Sequence, residues 1–320
     1  MAVYTEVTPD AAGALLATLG LGPLRHLTPI ASGIENTNYF VGTDDGEWVL
    51  TVFERLHHDQ LPYYLGLMHH LASRGLPVPD PLADAGGQRV HTLGGKPAAL
   101  VNRLPGQTLD APDLHHCGQL GHTLAAMHLA VADFPLVQPN LRGPAWREQA
   151  AQDVATWLDG DAAELLRTEI AFQRSVTGSA AWQALPVGAV HADLFRDNAL
   201  FDGLPGRERL SGVFDFYFAG TDHFAYDLAV VLNDWCVDLA SGALDADRAQ
   251  ALLQAYEQAR PLDSHERRLL PAMRRAAALR FWLSRLDDWH RPRDASLLTP
   301  KDPGHFERVL RHAVAEPWHP

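Results

Sequence analysis

Residues 32–54, SGIENTNYFVGTDDGEWVLTVFE, decide how the first third of the chain is read. Apolar and polar residues alternate through NTNYFVGT and again through EWVLTVFE. Asp44-Asp45-Gly46 between them is turn chemistry, so the stretch predicts an antiparallel hairpin with Gly33 in the loop before it. Working outward, LRHLTPIA precedes the hairpin as a further strand signal, and QRVHTL and KPAALVNRL follow it, joined by Gly94-Gly95. Between the hairpin and that pair, QLPYYLGLMHHLASRG sets Leu61, Tyr64, Leu65, Met68 and Leu71 on one helical stripe that stops at Gly75 and Pro77. Thr8-Pro9-Asp10 opens a short helix ahead of the sheet, and Gly20 to Gly22 closes it. The prediction is a five-stranded antiparallel sheet with one inserted helix.

After RLPG, residues 103–106, the period changes. APDLHHCGQLGHTLAAMHLA, GPAWREQAAQDVATWL, AAELLRTEIAFQRSV, DRAQALLQAYEQA and LLPAMRRAAALRFWLSRLDDW repeat apolar residues at spacings of three and four. One β interruption falls at residues 188–220. The expected class is therefore α+β in two lobes: residues 1–100 as a β-rich, nucleotide-covering lobe, 101–106 as a hinge, and 107–320 as a mainly helical catalytic and substrate-binding lobe.

The bulk composition narrows the function classes. The chain is 47% hydrophobic and 20% charged, as ordinary globular proteins are, and its formal charge of −13 argues against a nucleic-acid surface. Cys117 and Cys236 are too few and too far apart for a disulfide framework or a zinc finger, which suits a reducing cytoplasm. The first residues carry no signal-peptide pattern, and no run of about 18 apolar residues suggests a membrane span. A cytoplasmic location without nucleic-acid or membrane partners is expected.

The chemistry concentrates in HADLFRDN, which sets His191, Asp193 and Asn198 around a tight loop, with Asp215 following 22 residues after Asp193 at the end of an apolar strand. Phosphoryl transfer needs a carboxylate beside the incoming hydroxyl and oxygen ligands for Mg2+ on the β- and γ-phosphates, because its catalysis is mainly positioning and charge neutralisation. Asp193 suits the first task, and Asn198 and Asp215 the second, since Mg2+ prefers hard oxygen donors. Any one of these residues alone reads as a turn former. Together they make an H-x-D-x-x-x-x-N loop, a short strand pair and an aspartate at a strand end.

With these motifs, ASGIENTNYFV, EWVLTVFE, GKPAALVNRLPG, HADLFRDNALFDG, YDLAVVLNDWC and RFWLSRL, the chain resembles the bacterial homoserine kinases of the aminoglycoside-phosphotransferase and choline-kinase superfamily, from about residue 1 to residue 312. The resemblance implies a protein-kinase-like fold that uses ATP and Mg2+ to phosphorylate the side-chain hydroxyl of L-homoserine for threonine synthesis. It assigns Ser32, Gly33, Asn36, Asn38, Thr51, Val101, Asn102 and Arg196 to the nucleotide. Asp197, Tyr217, Asp234, Trp235 and Arg280 go to the acceptor, and His191 and Asp227 to support of the catalytic loop. The rival readings are a kinase for choline, methylthioribose, a sugar or an aminoglycoside, and a catalytically silent nucleotide-binding module.

The chain departs from the kinase pattern at the phosphate grip. Thr51 stands where the resemblance places a lysine, Phe214-Asp215-Phe216 replaces D-F-G, and Lys96 and Lys301 are the only two lysines. With Leu100 expected beside Thr51, Lys96 lies four residues along the strand, about 13 Å away, and reads as a strand-end lysine in solvent. Arg196, three residues after Asp193, is expected at phosphate, supported by backbone amides from Ser32 to Asn38. Arg280 or Arg285 is expected to face the acceptor cleft, and between Arg280 and Arg196 it is Arg280 that is preferred for the acceptor carboxylate. The histidine pairs 57–58, 69–70 and 115–116 do not converge on one ion, because neighbours on a helix point about 100° apart. His128 reads as a hydrogen-bonded core histidine.

Overall fold

The computed structural model describes residues 5–30, 36–291 and 301–320. Ser32 and Gly33 lie outside the described residues. The chain divides into two compact units, one running to Pro105 and the other beginning at Gly106.

The N-terminal unit begins with α1 (Pro9–Thr18), capped by the Thr8 hydroxyl, which accepts from the Ala11 amide at 3.2 Å. Its strands are β1 (His26–Pro29), β2 (Thr37–Thr43), β3 (Gly46–Val52), β4 (His91–Leu93) and β5 (Lys96–Asn102), with α2 (Leu61–Ala72) inserted after β3. They form a five-stranded sheet in the order β1-β2-β3-β5-β4, antiparallel throughout. At the hairpin tip Thr43 pairs with Gly46, which takes a φ of 149° that a side chain would resist. Alternation along the strands turns Tyr39, Val41, Leu50, Val52, Ala98 and Leu100 into one core with Leu15 and Leu16 of α1. Thr51 and Asn38, register partners, belong to the opposite face, where the Thr51 hydroxyl donates to Asn38 Oδ1 at 2.8 Å.

Two expectations about Lys96 are corrected here. Thr51 pairs with Ala99, and Leu100 pairs with Leu50, so the register differs by one residue from that expected. Lys96 therefore alternates onto the α1 side of the sheet. Its ammonium is not in open solvent but ion-paired to Glu54 and hydrogen-bonded to Thr5 at 2.8 Å. The Thr37 hydroxyl donates to the other oxygen of Glu54 at 2.6 Å. This lysine neutralises a carboxylate that is 10% exposed at the end of β3.

The C-terminal unit carries α3 (Leu114–Ala130), α4 (Pro144–Val154), α5 (Gly160–Thr177), α6 (Ala180–Gln183), β6 (Val187–Val190), β7 (Ala199–Asp202), β8 (Arg209–Val213), β9 (Gly220–His223), α7 (Phe224–Trp235), α8 (Ala246–Ala259), α9 (Ser264–His290) and α10 (Gly304–Ala315). β6 pairs with β9 and β7 with β8, both antiparallel, and these two ribbons are the β interruption read from the sequence. Every residue of α7 is buried, which explains its near-continuous apolar run. α3 and α8 approach so closely that a Cβ on Gly121 would lie 2.1 Å from the Leu252 carbonyl oxygen, so only glycine fits there. The helix α9 starts at a reciprocal cap in which Asp263 and Glu266 satisfy each other's backbone amides, and it runs on through Pro271 for 27 residues. No helix of the described residues is long and apolar enough to cross a membrane.

Candidate active site

The loop after β6 is held in a shape its own residues do not favour. Ala192 has a φ of 62°, a left-handed conformation that costs a residue with a Cβ about 1–2 kcal/mol. Asp227, from the first turn of α7 and fully buried, compensates: its carboxylate accepts from the His191 amide at 3.0 Å and the Ala192 amide at 2.7 Å. His128 of α3 reaches the same carboxylate through Nε2 at 3.1 Å, and its Nδ1 meets the Tyr256 hydroxyl at 2.7 Å. Burial raises the Asp227 carboxyl, but the His128 hydrogen bond, the two histidines and the amides outweigh it, and its pKa lies below the usual carboxylate range. Burial pushes His128 and His191 down, towards the neutral form.

His191 completes the turn. Its Nε2 donates to the Phe214 carbonyl at 2.9 Å, which leaves Nδ1 to accept from the Asp193 amide at 3.3 Å. Asn198 gives its side-chain amide to the Asp193 carbonyl at 2.8 Å, and its own carbonyl accepts from the Phe214 amide at 3.0 Å. Because Ala199 pairs with Val213, Asn198 and Asp215 sit at the same end of the β7–β8 ribbon. Asp215 adopts a left-handed conformation, φ 64° and ψ 60°, that breaks the strand and re-aims its side chain.

Asp193 is thus brought together with Asn198 and with Arg280 of α9, whose guanidinium lies 3.4 Å from its carboxylate. Burial lifts the Asp193 carboxyl to about 7; Asp215 and Asp197 add to the rise, and Arg280 and Lys301 oppose it. A group near neutrality suits proton abstraction from a hydroxyl. With the Asn198 amide nitrogen turned to Asp193, its Oδ1 and the Asp215 carboxylate are hard oxygen donors at this end of the ribbon, of the kind a hard divalent cation takes. Among the described residues no three His, Cys, Asp or Glu gather as a metal-holding group.

Other residues expected at the site have different employment. Arg196 donates to the Asp234 carboxylate at 3.1 Å, to the Asp110 carbonyl at 2.9 Å and to the Asp234 carbonyl. Its guanidinium ties the loop to α7. Asp234 is correspondingly taken up by Arg196, accepting from its amide as well at 2.8 Å. Trp235 is 0% exposed and its indole donates to the Leu194 carbonyl, so it supports the loop from below. Asp197 is exposed and pairs with Lys301 at 2.9 Å. Tyr217 is half-buried in the turn after Asp215.

In the N-terminal unit Asn38 and Thr51 pair with each other, Asn36 is buried, and Val101 pairs with Val49. The Asn102 side chain accepts from the Asp80 amide at 2.7 Å, which fixes the segment before β4. Sequence reasoning missed the part His128 plays: a histidine among apolar helix residues signals a buried partner, and that partner is the loop-bracing Asp227.

The profile of the phosphotransferase enzyme family matches residues 26–262. A homoserine kinase of Polaromonas naphthalenivorans is 54% identical over 318 residues, covering 99% of each chain. A homoserine kinase of Cupriavidus pinatubonensis is 53% identical over 319 residues, covering 98% of this chain and 97% of its own length. Among solved structures, an amicoumacin kinase in complex with AMP-PNP, Ca2+ and Ami superposes with a TM-score of 0.71 at 16% identity, covering 96% of this chain and 94% of that one. A spectinomycin phosphotransferase bound to ADP and spectinomycin gives 0.66 at 12% identity, covering 97% and 99%. These last two show a shared kinase-like fold. The chain belongs to the phosphotransferase enzyme family.

Proposed function

We propose, from membership of that family and the surroundings of Asp193, that the protein transfers the γ-phosphoryl group of ATP to the side-chain hydroxyl of L-homoserine. The product is O-phospho-L-homoserine, on the route to threonine. The observation that carries this reading is a chain similar over nearly its whole length to curated homoserine kinases in which a carboxyl raised to about 7 is held on a braced loop beside Asn198 and Arg280.

In this reading Asp193 is the catalytic residue. It orients the acceptor hydroxyl and takes its proton as the oxygen bonds to phosphorus and the bond from phosphorus to the ADP oxygen breaks. Arg280 keeps a workable fraction of Asp193 ionised at neutral pH, because a cation beside a carboxylate favours the charged form. Asn198 and Asp215 are the residues that would hold a divalent cation, for which we propose Mg2+. When bound, such a cation neutralises charge on the nucleotide's phosphates. His191 and Asp227 are positioning residues that fix the loop. Asn36, Asn38, Thr51, Val101 and Asn102 are assigned to the nucleotide, and the N-terminal unit to its binding.

An ADP-release assay with purified protein, run in parallel on homoserine, choline, methylthioribose and amino sugars, tests the assignment. Homoserine is expected to give the highest kcat/KM. Turnover of another alcohol in its place would replace the substrate, and no acceptor-dependent release with any of them would leave a silent nucleotide-binding module.

A further inference from the structure

We infer that Arg285, on α9 five residues after Arg280, is the residue that recognises the acceptor's carboxylate and so selects an amino acid over a simple amino alcohol. The inference rests on homoserine being the acceptor. A carboxylate bound away from bulk water needs a cation with open hydrogen-bond donors, and a guanidinium offers the best match.

Arg280 does not meet that need. Its side chain is 5% exposed, its NH1 faces Asp193 at 3.4 Å, and its carbon centre lies 3.7 Å from the Phe281 ring centroid and 5.1 Å from that of Phe218. Its Nε is buried and has no hydrogen-bond partner among the described residues. Arg196 is already ion-paired to Asp234 and hydrogen-bonded to two carbonyls.

Arg285 is half-buried, and its only hydrogen bond among the described residues is from NH1 to the Asp302 carbonyl at 3.1 Å. No carboxylate of the described residues lies within ion-pairing distance of it, although Asp234, Asp197, Asp302 and Asp193 all act on its charge. Its guanidinium rests over Phe306 at 4.5 Å from the centroid, and Phe306 stacks on Phe195 of the catalytic loop with centroids 5.7 Å apart. One aromatic step therefore separates this guanidinium from the loop that carries Asp193. Burial lowers its pKa, and the four aspartates offset that only in part. Lys301, the other cation acting on Asp193, is already paired to Asp197.

The test compares L-homoserine with 3-aminopropan-1-ol, which keeps the ammonium and the hydroxyl and lacks the carboxylate. Arg285→Met is expected to raise KM for homoserine on the order of 10²-fold and to leave KM for 3-aminopropan-1-ol and for ATP unchanged, so the preference between acceptors collapses. Arg285→Lys, with the charge kept and the fork lost, is expected to fall between. Thermal melts of each variant exclude misfolding. Equal weakening towards both acceptors in folded Arg285→Met, or selective loss of homoserine in Lys301→Met instead, overturns the inference. A wild-type protein that uses neither acceptor fails the homoserine reading itself, before Arg285 is in question.

Discussion

Arg280 and Asp193 face each other at 3.4 Å, from a helix and a loop separated by 87 residues of chain, and this contact tunes the one carboxyl at the centre of the site. Burial alone would hold Asp193 protonated; the guanidinium opposes it. If Asp193 is the base, activity falls as pH drops through its pKa of about 7. Arg280→Met removes a charge that favours the ionised form, so the acidic limb of the kcat/KM profile is expected to move to higher pH. A profile from pH 5 to 9 reads the shift, and an unmoved limb would dissociate Arg280 from the base.

Asp193→Asn is expected to lower kcat by about 10²- to 10⁴-fold, the usual contribution of a positioned base, and to leave ATP affinity nearly unchanged. The same substitution has a stability signature. A carboxyl whose folded pKa is raised contributes stability that is full below its unfolded pKa, near 3.9, and lost as pH rises through about 7. Asparagine does not suffer that loss, so the melting temperature of the mutant relative to wild type should rise between pH 6 and pH 8. Calorimetric titration with ATP and melts at both pH values check the two halves separately.

The brace beneath the loop predicts acid sensitivity. His128 and His191 have folded pKa values below the unfolded value of about 6.5, and Asp227 lies below its own. Each contribution is present above the unfolded pKa and lost as pH falls through the folded one. Unfolding stability in urea should therefore decline from just below about pH 6.5 and further below about pH 4. Asp227→Ala strands the His191 and Ala192 amides and the left-handed Ala192, and should cost about 3–5 kcal/mol. A mutant within about 1 kcal/mol of wild type would show that the loop holds without its brace.

Asp215→Ala should abolish metal-dependent nucleotide binding, and Asn198→Ala should raise the Mg2+ concentration for half-maximal activity, since both present hard oxygens at one end of the β7–β8 ribbon. A magnesium titration of binding and of activity distinguishes the two. Wild-type metal dependence in both mutants would remove them as ligands.

The five strands, the β2–β3 and β4–β5 hairpins and the helical C-terminal part were legible because hairpin turns and helical stripes are local signals. The grouping of Asp193 with Asn198, and of Asn198 with Asp215 at one end of the β7–β8 ribbon, was legible because short-range spacing fixes it. What escaped depends on where long or buried side chains go. The register that sets Thr51 against Ala99 joins β3 to β5, strands with α2 and β4 between them in the chain, so no local turn fixes it, and a slip of one residue moves Lys96 to the other face of the sheet. Arg196 and Arg280 have the same chemistry, and only the packing of α7 and α9 decides that one ties Asp234 while the other tunes Asp193. Trp235 could be read as an acceptor contact because nothing in LNDWC tells a fully buried helix from a half-exposed one. Ala192 in a left-handed conformation runs against its own local preference and left no sequence signal.

Phosphorus NMR of the complete reaction tests the central claim most directly. Purified protein with ATP, Mg2+ and L-homoserine should generate ADP and, in equal amount, one phosphate monoester with its phosphorus coupled to the side-chain CH2–O protons of homoserine; the monoester should be lost in Asp193→Asn. ADP accompanied only by inorganic phosphate, or a monoester that forms with choline or methylthioribose and not with homoserine, would contradict the account.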